Sequence, residues 1–130
     1  MRYARAILLL AAAAMLGAPG RYGPTLQEKS ETRLAKLLAG RVAGTPVNCI
    51  RVLNTNRLST FEFVGIVYDF HGTVWVSRVE DPDSLRRGFV PVMGLSGRKL
   101  CASDIGQAVS RDGYSSTVRM SLFVPYTKPE

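Results

Sequence analysis

The residue types that nucleophilic and metal chemistry draw on are scarce here: two cysteines, Cys49 and Cys101, and a single imidazole, His71. Two thiols 52 positions apart are nothing like a CxxC pair. With one histidine beside them, the ligand count also stops short of the four that structural zinc takes. A hydrolase triad needs a base, and His71 stands beside Gly72 between two strand-like runs, the place of an ordinary turn residue. Gly94-Leu95-Ser96-Gly97 lacks the Gly-x-Ser-x-Gly spacing of a nucleophile elbow and reads as a turn. No phosphate loop of the GxxxxGK type, no GxGxxG and no HExxH occurs, which argues against nucleotide binding and zincin chemistry. The expectation is therefore no catalytic residue, no cofactor and no metal.

Carboxylates and arginines leave two routes open. Glu62, Asp69, Glu80 and Asp104 are candidates for the paired acids of a glycan hydrolase, which must converge at about 5–9 Å in one cleft. Glu80, Asp81 and Asp83 form an acidic cluster with too few ligands at the spacing of a calcium loop, and beside Arg86 and Arg87 it reads as a solvated loop. On the cationic side, Arg86-Arg87 and Arg98-Lys99 are candidates for a surface that takes an anionic ligand, with Trp75 or Tyr114 available for stacking.

What these residues mean depends on where the chain resides. Arg2 and Arg5 precede an uninterrupted apolar run from Ala6 to Leu16, and Gly17, Ala18, Pro19 and Gly20 follow it. This is the pattern of a secretory signal peptide over residues 1–20, with cleavage favoured after Gly20. The run is well short of the roughly 20 apolar residues that span a bilayer, so no transmembrane anchor is expected after cleavage. No cysteine adjoins the apolar run, so no lipid anchor is expected there. Without the leader's two arginines, fifteen Lys and Arg face ten Asp and Glu, a net charge of +5. Such an excess favours anionic partners, and export argues against nucleic acid and for an envelope protein or an anionic envelope polymer.

Export also changes the reading of the cysteines. In an oxidising compartment the pair is expected as one disulfide. Closing a loop of that size contributes roughly 4 kcal/mol in the chain-entropy model.

The 130 residues allow one folding unit. Residues 21–45 read as a linker and an amphipathic helix, and residues 46–130 as a β domain. Thr25 followed by Glu28 is a capping-box signature opening a helix that reaches Gly40, with Leu34, Leu37, Leu38 and the stem of Arg41 on one stripe. That stripe points to core packing; Lys29, Arg33 and Lys36 raise membrane docking, which Glu28 and Glu31 weaken. From Pro46 onward, β-branched and aromatic runs predict five or six strands. They are Val47–Leu53, Phe61–Phe70 with Val64, Ile66, Tyr68 and Phe70 on one face, Thr73–Val79 after a His71-Gly72 hairpin turn, Phe89–Leu95 at an edge because of Pro91, and Thr117–Val124 closing the domain before Pro125; Lys99-Leu100-Cys101 brings the second cysteine back towards the first, and Ile105–Arg111 fits either a helix through Ile105, Ala108 and Val109 or, the preferred reading, a bent strand as the sixth. Glu80–Gly88 reads as a polar surface excursion in which Asp81-Pro82-Asp83 forms a turn or a short helical turn. The predicted class is mainly β (α+β), an N-terminal helix packed on an antiparallel sheet or a small open barrel.

The series PVNCIRV, VGIVYDF, TVWVSRV, KLCASDI and FVPYTK resembles an uncharacterised family of small exported bacterial proteins, over about residues 44–128. The two Cys contexts, Cys49-Ile50 and Leu100-Cys101-x-x-Asp104, and the ending Phe123-Val124-Pro125-Tyr126 carry the resemblance most specifically. It implies export and a Cys49–Cys101 pair, and it assigns no catalytic residue. The chain departs from that pattern at Phe61-Glu62-Phe63, where an Asp-Gly-type turn is expected just before the strand. The expectation is a disulfide-stabilised envelope protein acting as a non-enzymatic binding or structural module. The alternatives are a small glycan-directed enzyme, or an inhibitor that offers the Glu80–Gly88 loop to a partner enzyme.

Overall fold

Helix α1 (Leu26–Leu38) starts where the sequence places its cap. The computed structural model describes residues 23–130, so the expected leader over residues 1–20 lies outside the described residues. Thr25 Oγ1 accepts the Glu28 N–H at 3.1 Å, and a Glu28 carboxylate oxygen accepts the Thr25 N–H at 2.7 Å. That backbone N–H and then the Thr25 hydroxyl hold the Glu28 carboxyl below its ordinary range. The contribution is therefore present above the usual glutamate range and lost as pH falls through the lowered value. The helix ends at Leu38, two residues before Gly40. Its buried stripe is the one expected: Leu34 is buried, with Leu37 and Leu38 half-buried beside it. Arg41 extends the stripe by donating from Nη1 to the carbonyls of Gly72 at 2.7 Å and Tyr126 at 3.4 Å. Thr25→Ala is expected to cost about 1 kcal/mol, the usual size of a lost N-cap. A urea titration checks it; an unchanged midpoint would mean that Leu34 and Arg41 hold the helix without its cap.

The main sheet has five strands in the order β1-β10-β5-β4-β3, all neighbours antiparallel: β1 Val42–Ala43, β3 Leu58–Phe61, β4 Gly65–Phe70, β5 Thr73–Arg78 and β10 Val124–Thr127. A ribbon pairs β2 (Cys49–Arg51) with β7 (Lys99–Cys101), and a third sheet runs β6 (Phe89–Pro91), β8 (Gln107–Ser110), β9 (Ser115–Thr117). The fold is mainly β with one N-terminal helix among the described residues, as the sequence indicates.

The five-stranded sheet is buried on both faces. On one, Phe61, Val64, Val67, Val74 and Val76 pack with Leu34 of the helix. On the other, Ile66 and Tyr68 join Ile50 and Leu100 of the ribbon and Phe89 and Ala108 of the third sheet, with Trp75 packed against them. The result is three layers: helix, main sheet, two small sheets. The alternation of Val74 and Val76 against Trp75 and Ser77 follows the expected two-residue period. His71 (φ +53) and Gly72 (φ +79) form the two-residue hairpin between β4 and β5, as the sequence suggests.

Four sequence expectations are corrected. Phe61–Phe70 is not one strand: Leu58–Phe61 folds back on Gly65–Phe70, with Phe61 paired to Gly65 and Phe63 at φ +67 in the turn. The turn also changes the phase of the alternation, so Val64 faces the helix while Ile66 and Tyr68 face the small sheets. Thr117–Val124 is not the closing strand. Met120 and Phe123 make single bridges to Val79 and Val47, and the ladder starts at Val124 and runs through Pro125 to Thr127. Pro125 is tolerated because its carbonyl accepts from Gly44 N–H at 2.7 Å. A strand residue's N and C=O face the same neighbour, so the missing donor lies on the β1 side and leaves the β5 ladder intact. Glu80–Gly88 does contain the short helical turn expected around Asp81-Pro82-Asp83, a 3-10 turn at Pro82–Leu85, but it is not wholly on the surface, because that turn buries Ser84 and Leu85. Ile105–Arg111 yields a strand only over Gln107–Ser110, preceded by a 3-10 turn at Ala102–Asp104.

Candidate functional site

Cys49 and Cys101 are direct partners in the β2–β7 register and form a disulfide. Asn48 braces this end of the ribbon: its side-chain amide donates to Ser103 Oγ at 2.9 Å, and its oxygen accepts the Ser103 N–H at 3.0 Å. The same register sets Arg51 directly opposite Lys99. With Arg98, these two cations line a cleft of about 440 Å³ whose wall includes Cys49 and Ile50. Like charges directly opposed across an antiparallel pair repel, and an anion between them removes the repulsion.

The other predicted arginines sit elsewhere. Arg86 and Arg87 line a cleft of about 360 Å³ with Phe89, Ser110, Arg111, Asp112 and Tyr114. The Arg86 guanidinium lies 4.2 Å over the Phe89 ring and donates to the Asp83 carbonyl at 3.1 Å, which fixes its direction. No described cleft brings Arg86 and Arg87 together with Arg98 and Lys99. Of the two aromatics considered for stacking, Tyr114 stands at the Arg86–Arg87 cleft and is 69% exposed, whereas Trp75 is committed to the core. Among the described residues the ion pairs are Arg57–Asp69 at 3.6 Å and Arg78–Glu31 at 2.9 Å, so none of these clustered cations is neutralised by a carboxylate.

The four carboxylates considered for glycan chemistry have separate surroundings. Asp69 pairs with Arg57 and lines a cleft with Arg33, and Asp104 lines another. A Glu62 oxygen accepts the Gly88 N–H at 3.3 Å, and Glu80 is exposed. No described cleft holds two of the four. Asp81 caps the Pro82–Leu85 turn, its side chain accepting the Asp83 N–H at 3.2 Å. The His71 ring packs edge-on against Phe70 at 4.0 Å. Among the described residues no group of three or more His, Cys, Asp or Glu side chains converges as metal ligands would.

Sequence reading missed Arg51 and Arg111. Arg51 was within reach: with Cys49 opposite Cys101 in an antiparallel pair, counting two residues along each strand sets 51 against 99. Arg111 enters through the β6–β8 register, which pairs Phe89 with Ser110, and no dipeptide signal announces that.

Fold and clefts together define a class: among the described residues, a small disulfide-linked β domain with one helix and two clefts rich in unneutralised cations. Compared with family models, curated proteins and solved structures, the chain matches none.

Proposed function

We propose that this protein is an exported, disulfide-stabilised envelope protein that works as a non-enzymatic binding module for an anionic envelope component. The observation that carries the reading is the clustering of Arg51, Arg98 and Lys99 in one cleft, and of Arg86, Arg87 and Arg111 in another, without ion-pair partners among the described residues. Long exposed cations gain little from isolated surface pairing, but several converging on one cleft form a field that concentrates anions. The Cys49–Cys101 disulfide and the leader-like residues 1–20 support an oxidising, exported location. The kinship with small exported two-cysteine proteins belongs to the same proposal.

Retention on immobilised polygalacturonate, an acidic polysaccharide, tests the binding role. At low salt the protein should be retained and should elute as salt rises, because the attraction is screened over about 10 Å at 0.1 M. Reversing charge in either cleft, Arg86→Glu with Arg87→Glu or Arg98→Glu with Lys99→Glu, should bring elution to lower salt. Passage through the matrix at low salt would end the anion-binding reading.

A further inference from the structure

The disulfide shares one face of the β2–β7 ribbon with two of its cations. Cys49 stands opposite Cys101, Ile50 opposite Leu100 and Arg51 opposite Lys99. Successive strand residues point to opposite sides, so Ile50 and Leu100 turn into the core, where both are buried, and the disulfide and the Arg51–Lys99 pair lie on the other side. Two residues along a strand span about 7 Å, which sets the cationic pair one step from the sulfurs. The backbone fixes the third cation nearby. Ser96 and Lys99 exchange both backbone hydrogen bonds, at 3.2 and 3.1 Å, around Gly97-Arg98, and the Arg98 carbonyl accepts the Val52 N–H at 2.6 Å. Arg98 is therefore tied to both strands. Of the two cysteines, Cys49 is half-buried and lines the cleft with Arg51, Arg98 and Lys99, whereas Cys101 is 8% exposed and is not among the residues that line it.

These features select a ligand by charge and by reactivity. Three cations with no carboxylate in the lining call for an anion. A cleft of about 440 Å³ has the size of a small-molecule site. A disulfide sulfur in its wall is an electrophile that a thiolate attacks. We propose that this cleft is a thiolation site, in which a small thiol carrying carboxylates, of the glutathione type, forms a mixed disulfide with Cys49. The ligand's carboxylates pair with Arg51, Arg98 and Lys99, and its thiolate sulfur bonds to Cys49 Sγ as the Cys49–Cys101 bond breaks. The electron pair of that bond leaves on Cys101 Sγ, which takes up a proton from water. No further oxidant or reductant enters, because one disulfide and one thiol become one mixed disulfide and one thiol. Return attack by Cys101 on Cys49 Sγ releases the ligand and restores the original bond. The proposal rests on the anion-binding reading of this cleft, names its ligand class and adds a covalent step.

The test follows initial rates of exchange of the purified protein with reduced glutathione and, separately, with neutral 2-mercaptoethanol, by acid quench and mass spectrometry, each rate expressed per thiolate. The readout is the ratio of the two rates in wild type against the variant Arg51→Gln, Arg98→Gln, Lys99→Gln. Differences in intrinsic reactivity between the thiols cancel in that comparison, and so does any change in how readily the ribbon opens, which acts on both alike. The ratio should fall about tenfold in the variant, the lower end of what a cleft of one charge contributes to encounter. In wild type it should also fall as salt rises, and this decides the matter if the triple variant does not fold. Peptide mapping should place glutathione on Cys49. Arg86→Gln with Arg87→Gln lowers the net charge without touching this cleft, and should leave the ratio unchanged. A ratio indifferent to the triple substitution and to salt overturns the proposal. So does glutathione on Cys101 alone, or an equal fall in the Arg86 and Arg87 variant. Retention on polygalacturonate without thiol selectivity removes this proposal and leaves the broader reading standing. Passage through polygalacturonate together with loss of selectivity removes both.

Discussion

Reducing the Cys49–Cys101 disulfide is expected to lower the melting temperature on the order of 20 °C. The chain-entropy contribution of a 52-residue closure is roughly 4 kcal/mol, and a domain of about this size shifts by roughly 4–8 °C for each kcal/mol. The location adds to the effect. The β2–β7 ribbon has three residue pairs and belongs to neither larger sheet, and two-stranded units of that size are marginal alone. Yet Ile50 and Leu100 from that ribbon, and Val52 and Ala102 just beyond it, are part of the buried cluster under the main sheet. Releasing the bond therefore loosens one wall of that cluster as well as lengthening the free loop. Thermal melts with and without reductant, and of Cys49→Ser without reductant, should agree within a few degrees. An unchanged melting temperature in both would show that packing alone holds the ribbon. Two alkylatable thiols in protein purified without reductant would show that the bond does not form.

The parts of this architecture that were legible in the sequence are those set by local chemistry. Thr25 and Glu28 satisfy each other's backbone donors whatever lies elsewhere in the fold, so the helix start could be read. His71-Gly72 supplies two successive positive-φ residues between alternating runs, so the hairpin could be read. The failures come where tertiary context overrides a local rule. Pro125 reads as a terminator, but the side on which it lacks an N–H faces the short β1 strand, where its carbonyl still accepts from Gly44 N–H and the β5 ladder is untouched. Leu85 reads as part of a polar loop, but it is fully buried in the cluster that holds Phe89 and Phe123. The candidate site was half legible for the same reason. Arg86-Arg87 and Arg98-Lys99 stand out as dipeptides, whereas which cation completes each cleft is decided by strand register.

Gly65→Ala should be the most damaging single substitution of a small residue, costing about 3 kcal/mol or more. Two separate penalties meet at this position. Gly65 has φ +156, a region that L-residues adopt only at a cost of about 1–3 kcal/mol. In addition, a Cβ there would collide with the Ser77 carbonyl oxygen and press on Arg78 Cα, backbone atoms of the adjacent β5 strand that cannot rotate aside. That strand is pinned from its other side: Ser77 Oγ donates to the Ser121 carbonyl at 2.6 Å, and Arg78 N–H donates to Ser121 Oγ at 3.0 Å. Moving β5 would therefore disturb a second set of bonds. Gly72→Ala provides the comparison, because Gly72 also has positive φ, at +79, but a Cβ there meets no atom within 4 Å. It should lose only the conformational part, about 1 kcal/mol. Urea denaturation of the two variants separates the penalties: a much larger loss at position 65 assigns the excess to the collision. Equal losses would mean that β4 and β5 can shift apart at the Phe61–Gly65 turn. The close approach that places Val64 on the helix side and Ile66 on the other would then be a consequence of the fold rather than one of its constraints.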